Sequence, residues 1–358
     1  MHRTPVLLLA ALPLAAPTTL AAQLRLPDGV TGTLSGRFQM QFNSTSVDSL
    51  SGTRVPETEM RIRRARLTFD VTFNDLLSAR IEPDYGSSGF SLKDAYVRLS
   101  FSPAFRATLG QFKRPFDLFE LTSSTRILVV ERAGTIRGVE ACGGIESVCA
   151  LSAFTEELGY SDRDVGVLLD GDAGGVLHWA ASLTNGEGQN KQESNGNKQY
   201  TGRVSVEPVK DVVVSANASV KDYAHPTTGA QAFANAFGGD VEIGNSSRGV
   251  HVQAGIVAGD NWAVPAGLEE VASFLTGQAI VTYKAPLAHK YVTGVEPVAR
   301  ATWGDPNTDA DDDAGWLLTP GMIVHFGGRN VLYLNLDVWL PSTGTNEYSF
   351  KTQMNFHF

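Results

Sequence analysis

Between residues 54 and 137 the chain gathers 14 Lys and Arg against 10 Asp and Glu. The remainder holds 15 of the 29 basic and 28 of the 38 acidic residues, and the whole chain has a formal charge of −9. A basic island in an acidic chain points to a localised anion site, not to general nucleic-acid binding. Arg61, Arg63, Arg64 and Arg66 crowd one stretch, and Arg80, Lys93, Arg98, Lys113 and Arg114 follow. A guanidinium donates two parallel hydrogen bonds to a carboxylate or phosphate. Set around a water-filled opening, such groups offset the cost of dehydrating an anion. Paired instead with Asp70, Glu82, Asp84 and Asp94, the same arginines would form a neutral ladder. Catalysis is not needed to explain the chain. It has no G-x-S-x-G elbow, no H-E-x-x-H and no Gly-rich phosphate loop. The seven histidines lie scattered, without metal-ligand spacing. The expectation is a non-enzyme with no cofactor and no metal.

The elements that carry these residues read as strands. Leu34, Gly36, Phe38, Met40 and Phe42 alternate with Ser35, Arg37, Gln39 and Gln41. Ala65, Leu67, Phe69, Val71 and Phe73 alternate with Arg64, Arg66, Thr68, Asp70 and Thr72, and the same pattern fills 347–358. Period two gives each strand one apolar and one polar face. Strands are expected at about 31–42, 60–73, 76–84, 91–101, 106–114, 164–171, 176–185, 200–209, 212–223, 237–245, 250–260, 274–285, 291–303, 316–327, 331–340 and 347–358. That is sixteen, with fourteen or eighteen still open. Tight links at Asn74-Asp75, Ser102–Ala104, Lys210-Asp211, Ser246–Arg248, His289-Lys290 and Gly328–Asn330 alternate with longer polar links. Short turns at one end and long loops at the other are the habit of transmembrane barrels. Spanning strands of ~9–11 residues suffice, and no apolar run reaches the ~18 residues of a transmembrane helix. In lipid a sheet must close on itself, because an open edge would leave backbone groups unpaired. At ~16 strands the interior is too wide for side chains to fill, so a channel follows. Aromatics near strand ends (Phe101, Trp179, Tyr283, Trp303, Trp339 and Phe358) would form interfacial girdles.

Parity assigns the basic residues. With Ala65, Leu67 and Phe69 on lipid, Arg64 and Arg66 face the lumen, and Arg80 and Arg98 do so by the same rule. An Arg on lipid at the midplane would cost about 2–4 kcal/mol. Arg61 and Arg63 have the opposite parity. They belong at the headgroup rim, as Lys93 could, or beyond a bulge that resets the register. His2, Arg3, the apolar run Val6–Ala16 and the small residues before Gln23 read as an export signal over 1–22, leaving 23–358 as one barrel. Export permits a disulfide between Cys142 and Cys149. Asp305, Asp309, Asp311, Asp312 and Asp313 make an acidic loop, read as a solvated tip, with a Ca²⁺ site conceivable.

Several motifs resemble the phosphate-selective porin family, porins O and P. They are Arg61-Ile62-Arg63-Arg64-Ala65-Arg66-Leu67, Ser91-Leu92-Lys93-Asp94-Ala95-Tyr96-Val97 and Gly110-Gln111-Phe112-Lys113-Arg114-Pro115-Phe116. Leu121-Thr122-Ser123-Ser124 with Glu131-Arg132, and Asp164-Val165-Gly166-Val167, are also similar. The likeness is tight over about 60–170. It implies a sixteen-stranded outer-membrane barrel, usually trimeric, with an inward-folded constriction loop at about 115–160. The implied function is passive diffusion of small anions, phosphate or polyphosphate, past a filter of Arg64, Arg66, Arg80, Arg98, Lys113 and Arg114. Phe356 and the terminal Phe358 resemble the signal read by the outer-membrane assembly machinery. The alternatives are a weakly selective general porin, a barrel that binds surfaces through its loops, and a membrane-embedded hydrolase.

Overall fold

The computed structural model describes residues 22–25, 29–47, 57–86, 89–132, 150–225, 227–267 and 269–358. A four-residue strand, β1 (Ala22–Arg25), precedes sixteen longer ones. These are β2 (Thr31–Val47), β3 (Glu57–Thr72), β4 (Leu77–Asp84), β5 (Ser91–Ser102), β6 (Phe105–Lys113), β7 (Arg163–Ala173), β8 (Leu177–Thr184) and β9 (Gln199–Val209). They continue as β10 (Val212–Ala224), β11 (Gln231–Gly244), β12 (Gly249–Pro265), β13 (Val271–Pro286), β14 (Gly294–Asp305), β15 (Gly315–Gly327), β16 (Asn330–Pro341) and β17 (Glu347–His357). From β2 onward each strand pairs antiparallel with the next, and β17 closes on β2 through Glu347↔Val47 to His357↔Arg37. The result is a closed sixteen-stranded barrel, as the alternation predicts. β1 is an unpredicted extra that pairs with Thr31–Leu34 of β2.

Burial is inverted relative to a soluble protein. Gln39, Gln41, Asn43, Gln353 and Asn355 are buried, whereas Met60 is 71% and Phe237 61% exposed. Apolar residues outside and polar residues inside are what lipid contact requires. Trp303 faces Trp316 on the outer surface, and Phe101, Phe105 and Trp179 stack in series there. Trp339 is a correction. It shares parity with Asn335 and Asp337, so it points inward, is 1% exposed, and lies across Gly315, where a Cβ would meet its ring at 2.3 Å.

The tight links are built as their residues dictate. Asn74 Oδ1 accepts the Leu76 and Leu77 amides at 3.0 and 2.8 Å, and Asp211 adopts φ 63°. The link expected at His289-Lys290 spans Leu287–Thr293. The exception among the long connections lies between β6 and β7. There the chain folds into the barrel and carries two short helices, α1 (Leu118–Leu121) and α2 (Leu151–Glu157). Cys142 and Cys149 lie outside the described residues, as does the proposed signal up to residue 21.

Candidate functional site

The inward loop is fixed by an apolar face of its own. Phe116, Phe119, Leu128, Val129, Val130, Leu151, Phe154, Leu158 and Tyr160 are all buried. They share one cluster with wall residues Tyr223, Ala234, Ala236, Val257, Phe274, Ile280, Val298, Leu317, Ile323, Tyr333 and Trp339. Phe154 stacks on Phe274 with ring centroids 5.3 Å apart and planes 6° from parallel. Burying each large side chain stabilises by roughly 1.5–3 kcal/mol before the entropy of ordering the loop is subtracted. Polar ties fix its position. Tyr333 Oη donates to Ile127 O at 2.7 Å, and Asn335 Oδ1 accepts Val130 N at 2.6 Å. Gln39 Nε2 donates to Ser124 O at 2.9 Å, and Trp262 Nε1 to Leu158 O at 2.8 Å. Asp117, at φ 65°, caps α1 by accepting Phe119 N and clips it to α2 through the Ser152 and Thr155 hydroxyls at 2.9 Å. Desolvation raises its carboxyl to about 6.

The arginine strand contains a bulge. Gln39 pairs with Arg64, but Met40 pairs with Ile62, so Arg63 is the extra residue. The bulge resets parity. Met60 and Ile62 take the lipid side, while Arg61, Arg63, Arg64 and Arg66 all reach the lumen. Of the two placements open for Arg61 and Arg63, the structure takes the bulge and not the rim. Arg63 Nε donates to Glu131 Oε1 at 2.8 Å, and Arg64 Nη2 meets Glu131 Oε2 at 3.1 Å. β5 has a comparable break: Ile81 pairs with Ala95 but Pro83 with Leu92. Within it Lys93 bonds Gln189 at 2.9 Å, and Asp94 meets Arg163 at 2.7 Å. Gly110, at φ 131°, lets β6 cross Tyr96 closely; a Cβ there would lie 2.3 Å from Ala95 O.

Most of the basic groups are matched. Arg66 bridges Asp84 at 2.6 Å and Glu82 at 3.4 Å, and Glu82 also holds Arg37. Arg80 grips Asp70 with two bonds, at 2.7 and 3.1 Å. Lys113 meets Glu120 at 2.6 Å, with Arg132 3.7 Å from the same carboxylate. Desolvation would raise the Glu120 carboxyl, but the Arg132 and Lys113 charges outweigh it and hold it down at about 2. Arg114 is not a filter residue. It is 2% exposed, fastened to Asp164 at 3.1 Å, to Gln199 at 2.6 Å and to Ser161 O, and so it anchors the loop to β7 and β9.

Two arginines stand apart. Arg98 donates to Thr108 Oγ1 at 2.9 Å and lies 5.5 Å from the Tyr96 ring, with no carboxylate partner among the described residues. Arg126, in the turn after α1, is exposed and lines two cavities of about 340 and 430 Å³ that reach the short-turn end. It too has no ion pair among the described residues. Alternation singles out Arg37, which the sequence reading left out of its filter, but nothing in the sequence marks Arg126, because a loop has no parity. The acidic tip remains solvated at Asp309, Asp311 and Asp312.

Comparison with known proteins places this architecture. No curated protein sequence matches the chain. Among solved structures, the anion-selective porin from Comamonas acidovorans superposes with a TM-score of 0.64 at 13% identity, covering 92% of this chain and 100% of that one. The outer membrane channel DcaP of Acinetobacter baumannii gives 0.60 at 13% identity, with 94% and 100% covered. The trimer form of OmpT, an outer membrane protein of Vibrio cholerae, gives 0.56 at 13% identity, with 92% and 100% covered. The model of the family described as phosphate-selective porin O and P matches residues 33–248. With sixteen strands closed around a loop-narrowed, arginine-lined lumen, the chain belongs to the phosphate-selective porin O and P family of the bacterial outer membrane.

Proposed function

We propose that this porin passes small anions by passive diffusion, phosphate among them, and that Arg98 and Arg126 supply the charge that favours them. One observation carries the reading. Glu59, Asp70, Glu82, Asp84, Asp94, Glu120 and Glu131 are each held by an arginine or lysine, while Arg98 and Arg126 make no ion pair among the described residues, Glu242 sharing a cavity with Arg126 without bonding it. Arg98 and Arg126 are therefore the arginines left to act on a passing solute. Glu156 of α2 is open to the lumen but subtracts little near neutrality. Desolvation, with the Glu120 and Asp162 carboxylates, holds its proton up to about 8. Arg61, Arg63 and Arg80, each about one-third exposed, line the wall and assist. A trimer fits the trimeric form of OmpT. No step in this reading needs catalysis. Export through a cleaved signal over 1–22 and assembly through Phe356 and Phe358 complete the proposal.

The test is the reversal potential of reconstituted pores in a KCl gradient. Chloride preference is expected, and Arg98→Gln with Arg126→Gln should bring it close to unity. Cation preference in the native pore would refute the anion reading. Added phosphate should reduce chloride current; no reduction at millimolar phosphate would remove phosphate as a favoured solute. The extent of charge matching favours a second reading, a weakly selective general porin. A native chloride preference already near unity would establish it.

A further inference from the structure

The two halves of the short-turn rim differ in charge. Three successive turns, joining β9 to β10, β11 to β12 and β13 to β14, carry Lys210, Arg248 and Lys290. All three side chains are exposed, and none makes an ion pair among the described residues. Lys290 lies 5.0 Å from the ring of Tyr291. Two acids lie at these turns, both partly covered: Asp211, which accepts from Asn245, and Glu207, which accepts the Asp211 amide at 3.0 Å. The other half of the rim carries Asp75, Asp170 and Asp172, and its Arg106 is taken up by the last two at 2.6 Å each.

The basic turns also sit at the lipid boundary. Val209 is one residue from Lys210, and Ile243 and Val250 flank the Arg248 turn. Tyr283, Leu287 and Tyr291 flank Lys290. These six apolar or aromatic side chains are between 43% and 61% exposed. Val250 pairs with Tyr283, and Val212 with Ile243, so the belt is continuous across β10–β13. Cations just beyond an exposed apolar and aromatic belt are placed at headgroup level, where anionic lipid attracts them. The short-turn end of such barrels faces the periplasm.

We propose that Lys210, Arg248 and Lys290 form an anionic-phospholipid site on the periplasmic leaflet, spanning the β9–β14 edge of the barrel. The site holds lipid phosphodiesters against the outer wall. It is independent of the lumen and of the solute that passes.

The full chain, purified in detergent, would be titrated with phosphatidylglycerol or phosphatidylcholine and read by native mass spectrometry. Preferential retention of phosphatidylglycerol is expected. The triple variant Lys210→Gln, Arg248→Gln, Lys290→Gln should lose it by at least about tenfold, since each headgroup-level cation contributes roughly fivefold. Its single-channel conductance should be unchanged, which confirms an intact barrel. Asp75→Asn on the opposite rim should leave retention unchanged. Equal retention of the two lipids by the native protein would overturn the proposal, and so would preference persisting in a conducting triple variant. Binding to purified peptidoglycan that the triple variant loses, without any lipid preference, would overturn it in favour of a cell-wall contact.

Discussion

The inner wall of the barrel has two faces with different work. From β2 to β9 it presents Arg37, Arg61, Arg63, Arg64, Arg66, Arg80 and Arg203 with their carboxylates, and Arg98 without one. From β10 to β17 it presents Ala234, Ala236, Phe274, Ile280, Val298, Leu317 and Tyr333, with polar residues mostly neutral between them. The apolar face docks the loop, which also ties to the charged face through Ser124 and Glu131; cavities remain beside Arg37 and Arg80 and, toward the short-turn end, beside Arg126. A wide barrel thereby becomes narrow without extra strands: one side of its lumen is packed as a protein core, and the other is lined with paired charge. The main exception on the apolar side supports the division. Arg300 is locked between Thr319, Asp337 and the Glu131 carbonyl, and Lys351 lies 3.0 Å from the same Asp337.

Breaking the apolar half should have the largest effect. Phe154→Ala removes the stacked ring under α2, at a cost of about 3–5 kcal/mol to loop docking. Single-channel conductance should rise and the loop should become protease-sensitive, whereas Phe237→Ala on the lipid side should do neither. An unchanged conductance would mean that the loop does not set the waist. Next in size is Glu131→Gln, which leaves Arg63 and Arg64 sharing a neutral amide. Breaking such a buried arrangement costs about 3–5 kcal/mol, read as a lower unfolding temperature. The added positive charge should raise chloride preference severalfold in the same bilayer assay.

The third effect is a pH step. Glu156 is raised from its ordinary 4.5 to about 8, so it is neutral below that pH and charged above it. Chloride preference should fall between pH 7 and pH 9, and Glu156→Gln should flatten that slope. Glu120 behaves in the opposite sense. Its folded value of about 2 lies below 4.5, so its contribution to stability is present above pH 4.5 and is lost as pH falls toward 2. The smallest change should follow Arg61→Gln. Its partner Glu59 is 3.4 Å away and half exposed, so stability should move by less than about 1 kcal/mol.

These two faces were unequally legible in the sequence. Period-two alternation marked the strands and the inward arginines, because each inward residue is separated from the next by one that meets lipid. The position of Trp339 near a strand end suggests a girdle, whereas its parity with Asp337 puts it inward. The bulge at Arg63 could be named only as an option, since a run of four arginines in six residues has no parity of its own. Arg114 reads as a pore residue from its neighbours in the motif, yet the turn out of β6 carries it into the wall. The apolar half was the least legible. Its inward Ala, Val, Leu and Phe give β11–β16 apolar residues on both faces, and only the docked loop explains why. The loop's own contacts span more than a hundred residues of chain, as between Val130 and Asn335, which no local pattern encodes.

The extra residue in β3 has a consequence for how this chain tolerates change. Deleting Arg63 alone would restore a regular ladder from Gln39 to Thr45. Met60 and Ile62 would stay on lipid and Arg61 in the lumen, because their pairing with Phe42, Met40 and Gln41 is unchanged; only the bond from Arg63 to Glu131 would be lost. An in-frame loss of that one codon would therefore be milder for the barrel than its place in a membrane strand suggests, the cost falling on the Glu131 contact and not on which residues meet lipid.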